Sequence, residues 1–435
     1  MHPNLYAVIL ILFSDIIAIA CLFAICRTFQ TKLLVGIAIG CFNFASCLGI
    51  VFNDQNEKYI ISCMLFLIVM VIVMGITLDG KYVISFGNRK RGFYSTREVG
   101  SRLDSMKWLG IIYLIIMFVS TIYPTNYFTQ LSPSNFTVTG ARFALSLARS
   151  SGIGWLMGRI KLVLLPFFFI WLYTIRKDTR KFVIVFLLQA FLEMLQNQLI
   201  TSRSNYLQMF IFIIIYLALE DKVPKRRLLI YTIGFGAVSI VLMVWFKNLI
   251  QGNNTTYKGF NETLMALIQS EYNGGQWRLD FCNSVNSELS FFHYLYHCFT
   301  APLFFLPDDG FPTLSYFFTS RVLGLTYGQI GYYVILPGAF GEGLMVLGNY
   351  FAWIYGAFIG MYTGAFFRFL KKNEYLRYVY VYFMIQFAFA FRGSLQSFVM
   401  RSFNCIFYFM IVMLILRGIG VLSTKGKTVD FDTSN

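Results

Sequence analysis

Charge is scarce in this chain. Asp, Glu, Lys and Arg make up 13% of 435 residues against 57% hydrophobic residues, and the mean hydropathy is +0.64. That composition excludes an ordinary soluble domain, in which roughly a quarter of residues are charged. The sequence also lacks a C-x-x-C pair, an H-E-x-x-H run and any zinc-type Cys/His spacing, so no motif points to a bound metal. No internal repeat is evident, unlike the duplicated bundles of many transporters. The first apolar run has no basic segment before it and is too long for a signal-peptide core, so it is expected to persist as a helix.

The charge that is present is unbalanced, with 36 Lys and Arg against 20 Asp and Glu and a net charge of +16. Membrane proteins collect basic residues in cytoplasmic loops, which accounts for the excess without a nucleic-acid partner. Eleven apolar stretches are long enough to predict an all-α polytopic membrane bundle. They are Leu5–Ile25, Leu33–Val51, Tyr59–Leu78, Trp108–Tyr123, Ile153–Ile175, Phe182–Ile200, Tyr206–Leu219, Leu228–Phe246, Met345–Phe367, Leu376–Phe391 and Phe398–Val421. Alternate gaps between them hold 24 of the 36 Lys and Arg. By the positive-inside rule those gaps are cytoplasmic, the N-terminus is outside and the C-terminus inside. The whole chain then reads as one integral membrane domain. Its largest outer loop runs from Lys247 to Gly341, partly helical, and the polar tail Ser423–Asn435 is expected to be flexible and cytoplasmic.

Several residues are candidates for chemistry. His293 and His297 stand at i and i+4 in an aromatic segment and would share a helix face. That suits a metal pair, a proton-transfer pair or an interfacial helix. Cys282 and Cys298 share the outer loop, where a disulfide is one option; the other six cysteines lie in or beside spans and read as small apolar packers. The sixth stretch carries Gln189, Glu193, Gln196 and Asn197, with Arg203 in the turn beyond it. Positions 189, 193, 196 and 203 fall near one stripe, and such polar groups usually face partners or a wet cavity. Asp15 is a second intramembrane carboxylate, open to pairing or to proton relay. Outside, or at outer helix ends, stand Arg142, Arg149, Arg159, Arg203, Arg278, Arg321, Arg392 and Arg401. Arginine retained there against the topogenic bias suits an anionic, phosphate-bearing substrate, because its planar fork binds phosphate bidentately. Gly348, Gly356, Gly360 and Gly364 are expected to let helices pack closely.

Three motifs carry a resemblance. Thr201-Ser202-Arg203-Ser204-Asn205 closes one apolar helix and opens the next. Pro337-Gly338-Ala339-Phe340-Gly341-Glu342-Gly343 precedes Gly348-Asn349-Tyr350 and a Gly-rich helix, and Arg392 follows the tenth span. With the large outer loop, these features resemble bacterial O-antigen and capsule repeat-unit polymerases of the Wzy type over nearly the whole chain. In this chain the aromatic-Gly step after the Glu is displaced, with Gly348 preceding Asn349-Tyr350.

The resemblance implies a metal-independent, cofactor-free glycosyltransferase of the bacterial inner membrane. It would polymerise undecaprenyl-diphosphate-linked oligosaccharide repeats at the periplasmic face, with membrane lipids and a chain-length regulator as further partners. Arg203, Arg278, Arg321 and Arg392 would contact the diphosphate, Glu342 or His297 would be the base, and Trp277, Tyr294 and Tyr296 would stack on sugars. A lipid-linked oligosaccharide flippase and an O-antigen ligase are the alternatives.

Overall fold

The computed structural model describes residues 4–51, 54–79, 96–131, 152–197, 203–224, 279–300, 302–303, 313–326, 334–418 and a few isolated positions. Every regular element among these residues is a helix. Among the described residues six helices are long and apolar enough to cross a membrane: Leu5–Ile25, Phe29–Cys47, Asn56–Asp79, Gly152–Ile175, Gly338–Lys371 and Leu395–Leu416. Met106–Ile122 and Ser204–Leu219 are apolar but shorter. The expected eighth stretch, Leu228–Phe246, lies almost wholly outside the described residues, as do most of the large loop and the C-terminal tail.

Helix α1 (Leu5–Ile25) starts where the Asn4 side chain accepts the N–H of Ala7. Its buried residues Ala7, Ile11, Ser14, Ala18 and Leu22 form one stripe, at helical spacing. The opposite face is just as apolar: Leu5, Ile9, Leu12, Phe13, Ile16 and Phe23 are all exposed. A helix apolar on every side belongs in lipid or in a core, and here no described residue covers the outer face.

Helix α2 (Phe29–Phe42) runs into a π-helical turn, Asn43–Cys47, and then α3 (Ile60–Asp79) returns. At one end of the bundle Asn4 N–H donates to the Val51 carbonyl at 2.9 Å. At the other, the N–H groups of Arg27 and Thr28 donate to Asp79 Oδ2 at 2.9 and 3.3 Å, and Lys371 Nζ donates to Thr28 Oγ1 at 2.8 Å. These define an Asn4 end and an Asp79 end. Helices α4 (Thr96–Ile122), α5 (Gly152–Ile175), α6 (Thr179–Gln196) and α7 (Arg203–Leu219) follow. Glu220 meets Arg377 and Arg176 at the Asp79 end, at 3.5 and 3.8 Å. Basic residues flank the helices there, as the sequence pattern leads one to expect.

Short helices α8 (Leu279–Ser284), α9 (Phe291–Thr300) and α10 (Leu314–Leu323) lie toward the Asn4 end. Three long segments complete the bundle: α11 (Gly338–Lys371), α12 (Arg377–Ala390) and α13 (Leu395–Gly418). α11 is broken at Gly348, whose φ of 72° and ψ of 177° only glycine adopts readily. Asn286 Nδ2 donates to the Met345 carbonyl just before this break, and Asn283 Oδ1 accepts the N–H of Asn349 just after it.

Four glycines therefore serve two purposes. Gly356, Gly360 and Gly364 line the contact with α3, where an added Cβ would fall 2.7 Å from Phe66 O, 2.5 Å from Met70 O and 2.6 Å from Thr77 Cβ. Gly348 instead supplies the turn.

Candidate functional site

The polar residues of α6 do not act as a single stripe. Gln196 turns toward α4 and donates to Met117 O, Ser120 Oγ and Thr121 Oγ1 at 2.6, 3.0 and 2.6 Å, while Lys161 donates to its Oε1. That is interhelical bonding that satisfies a buried amide. Gln189, Glu193 and Asn197, at i, i+4 and i+8, face elsewhere and line a cavity of about 200 Å³.

Helical spacing brings the other walls together. Asn205 and Gln208 come from α7, Tyr382 and Gln386 from α12, and Arg401 from α13. Five of the lining side chains are amides, and Gln386 Nε2 donates to Gln208 Oε1 at 2.8 Å. Along their helices Asn205, Gln208, Gln386 and Arg401 lie within about 9 Å of a terminus toward the Asn4 end, and Gln189 and Tyr382 within about 12 Å.

A second cavity, of about 360 Å³, opens on the other side of Glu193 and Arg401. Its wall includes Tyr113, Lys161, Leu162, Ser397 and Asn404. Pro166 lies inside α5 and has no N–H to give to the carbonyl of Leu162, a residue that lines this cavity.

Between the cavities Arg401 Nη2 donates to Glu193 Oε1 at 2.8 Å and also to the Tyr382 hydroxyl. Its guanidinium lies 5.5 Å from the centre of the Tyr382 ring. Gln189 Nε2 donates to Glu193 Oε2 at 2.8 Å and reaches the Tyr113 hydroxyl at 3.3 Å. The Arg401 and Glu193 side chains keep 37% and 25% of their surface accessible, so this pair borders open space rather than sealed core.

The residues singled out in the sequence are distributed differently. Glu342 is fully buried; its Oε2 accepts from the Tyr355 hydroxyl at 2.6 Å and from the Gln396 N–H at 3.1 Å. Tyr294 is also buried, its hydroxyl 3.0 Å from that of Tyr355, so its ring offers no open face to a sugar. His293 and His297 do share a face of α9, with ring centres 5.2 Å apart. Among the described residues no group of three His, Cys, Asp or Glu side chains could hold a metal.

Tyr296 is 42% exposed. Arg321 is exposed and paired with Glu288, and Arg392 is exposed in the turn between α12 and α13. Arg203 is the first residue of α7, its side chain outside the described set; Trp277 and Arg278 lie wholly outside it. None of the described residues in this group lines either cavity.

Cys282 and Cys298 are free thiols, both buried. Burial pushes both thiols well above the usual range, because the thiolate is poorly solvated there. Asp15 is paired through Asn43 Nδ2 at 2.7 Å.

The cavity residues Gln208, Gln386 and Asn404 were not recognisable from spacing alone. Each is a polar residue in a largely apolar helix, and its significance depends on which neighbour it meets. No family model, curated protein or solved structure matches this chain.

Proposed function

We propose that this protein is a polytopic glycosyltransferase that polymerises undecaprenyl-diphosphate-linked oligosaccharide repeats at the outer face of a bacterial inner membrane. The observation that carries the reading is the amide-lined cavity inside an apolar bundle. Amide side chains present paired donors and acceptors, which match the vicinal hydroxyls of a sugar, and polar groups in apolar surroundings usually face partners or a wet cavity. One residue of the motif that resembles the repeat-unit polymerases lines this cavity: Asn205, the last of Thr201–Asn205, on the helix that Arg203 opens.

In this reading the chain has eleven spans, the basic Asp79 end is cytoplasmic, and the cavities face the periplasm through the Asn4 end. Arg203 and Arg392 contact the diphosphate, with Arg278 and Arg321 as further candidates. Their cationic forks offset the charge that develops on the leaving group.

The test uses the purified full-length protein in nanodiscs, given an undecaprenyl-diphosphate-linked repeat unit without nucleotide sugar or added metal. A ladder of product lengths is the expected result. Transbilayer movement of the same lipid in proteoliposomes, without a ladder, would reassign the protein as a flippase. Transfer of a single finished glycan to a lipid acceptor would make it a ligase.

A further inference from the structure

The two cavities share three lining residues, Glu193, Asn197 and Arg401. They are therefore neighbouring chambers with a common border, made by the Glu193–Arg401 ion pair and Asn197. Among the described residues Glu193 is the one carboxylate that lines either chamber, and no histidine lines them. Its surroundings come from several helices: Arg401 on α13, Tyr382 on α12, Tyr113 and Gln189 within reach on α4 and α6, Asn205 and Gln208 across the first chamber on α7, and Lys161 in the wall of the second on α5.

A charged pair in a low-dielectric bundle is costly unless something requires it. This one is held in a fixed orientation by Arg401 and Gln189, yet remains partly accessible. A carboxylate has about four acceptor positions, so capacity remains for an entering hydroxyl.

We propose that the two chambers are two subsites of one transfer site, each receiving the reacting sugar of a separate lipid-linked oligosaccharide, with Glu193 as the catalytic base between them. This rests on the transferase reading above. The acceptor hydroxyl oxygen forms a bond to the anomeric carbon of the donor sugar. The bond from that carbon to the diphosphate oxygen breaks, and the diphosphate leaves with the electron pair. The hydroxyl proton passes to the Glu193 carboxylate. Arg401 and Gln189 are positioning residues: they aim the carboxylate and touch neither reacting atom.

The experiment starts from the full-length protein in nanodiscs with the lipid-linked repeat unit. If the wild type makes no polymer, the transferase reading falls, and this inference with it. If the wild type does polymerise, Glu193→Gln is expected to lower kcat about 100-fold or more, the scale of a lost general base, with KM within about threefold. Glu193→Asp keeps the charge facing Arg401 and is expected to lower kcat about tenfold. A Glu193→Gln protein that elutes and unfolds like the wild type and polymerises at its rate would overturn the base assignment while leaving the transferase reading intact.

Binding separates the subsites from the chemistry. Inactive Glu193→Gln is expected to hold two radiolabelled repeat-unit lipids per chain. Gly158→Trp, at a second-chamber position where an added Cβ meets nothing within 4 Å, is expected to hold one. One lipid per chain for Glu193→Gln, or two for Gly158→Trp, would overturn the two-subsite arrangement.

Discussion

Glu342 caps a helix to which it does not belong. Its Oε2 accepts the N–H of Gln396, 54 residues further along the chain and in the first turn of α13, while Tyr355 donates to the same oxygen. The first N–H groups of a helix have no intrahelical partner, and the positive end of the helix dipole favours a carboxylate. Gln396 in turn accepts the Leu314 N–H through its Oε1 at 2.7 Å, so the cap also ties α10 to the bundle.

Replacing Glu342 therefore tests structure first. Glu342→Ala leaves the Gln396 N–H and the Tyr355 hydroxyl without their acceptor and is expected to cost about 1–3 kcal/mol, read as a lower unfolding temperature in detergent. Glu342→Gln keeps a side-chain oxygen for the cap and is expected to polymerise within about threefold of wild type. A large loss of polymerisation in a Glu342→Gln protein of normal stability would return this residue to the chemistry.

The α3–α11 contact admits no side chain at three positions. Gly360→Ala would bring a Cβ to within 2.5 Å of the Met70 carbonyl oxygen, a backbone atom that cannot swing away. A cost of about 1–3 kcal/mol is expected. Gly36 and Gly40 in α2 have open space at the same atom. Gly36→Ala is expected to be stabilising by about 0.5 kcal/mol, because alanine loses less backbone entropy in a helix. Parallel unfolding curves distinguish these outcomes; equal effects at Gly36 and Gly360 would contradict the packing.

Gly348→Ala probes the turn rather than the packing. The residue has φ of 72° and ψ of 177°, a region open essentially to glycine, and a Cβ would also sit 3.2 Å from Asn286 Oδ1. The expected cost is about 1–3 kcal/mol. Because residues 338–347 carry Glu342 into place, limited proteolysis should open that segment before the rest of the bundle.

Asp280 on α8 joins the N-terminus of α3 through Lys58 and the Tyr59 hydroxyl, the latter at 2.7 Å. Partial burial pushes the Asp280 carboxyl up, but the Lys58 ammonium and the Tyr59 hydroxyl outweigh it and hold it below the usual carboxylate range. A carboxyl lowered on folding stabilises above its unfolded pKa, and that contribution is lost as pH falls through the folded value. Asp280→Asn is therefore expected to be less stable than wild type at pH 7, with the gap narrowing as pH falls below the ordinary Asp value of about 3.9 and closing below the lower folded value. A gap in unfolding temperature that persists in acid would show that the contact is not electrostatic.

Much of the scaffold could be read from residue order. The first stretch coincides with α1, from Leu5 to Ile25, and the stretches placed on α3, α5 and α13 differ from the helices by a few residues at their ends. Boundaries on α2 and α11 shifted more. The π-helical turn at Asn43–Cys47 and the Gly348 break are local changes of path, which average hydrophobicity does not register. The polar stripe on α6 was visible, but its division was not: Gln196 and Asn197 are neighbours in sequence and point about 100° apart on a helix. One bonds Thr121 and lines the second cavity alone, and the other lines both cavities.

By itself, the sequence determined that this is a helical chain with several segments apolar enough to cross a membrane. Those properties follow from run length and period, which are local. Which polar groups meet was decided by the tertiary structure. Glu193, Tyr382 and Arg401 lie on three helices, and only the rotation and packing of those helices places a carboxylate, a hydroxyl and a guanidinium together. The same packing buried Glu342 as a helix cap, because a carboxylate inside a bundle is retained only where donors surround it.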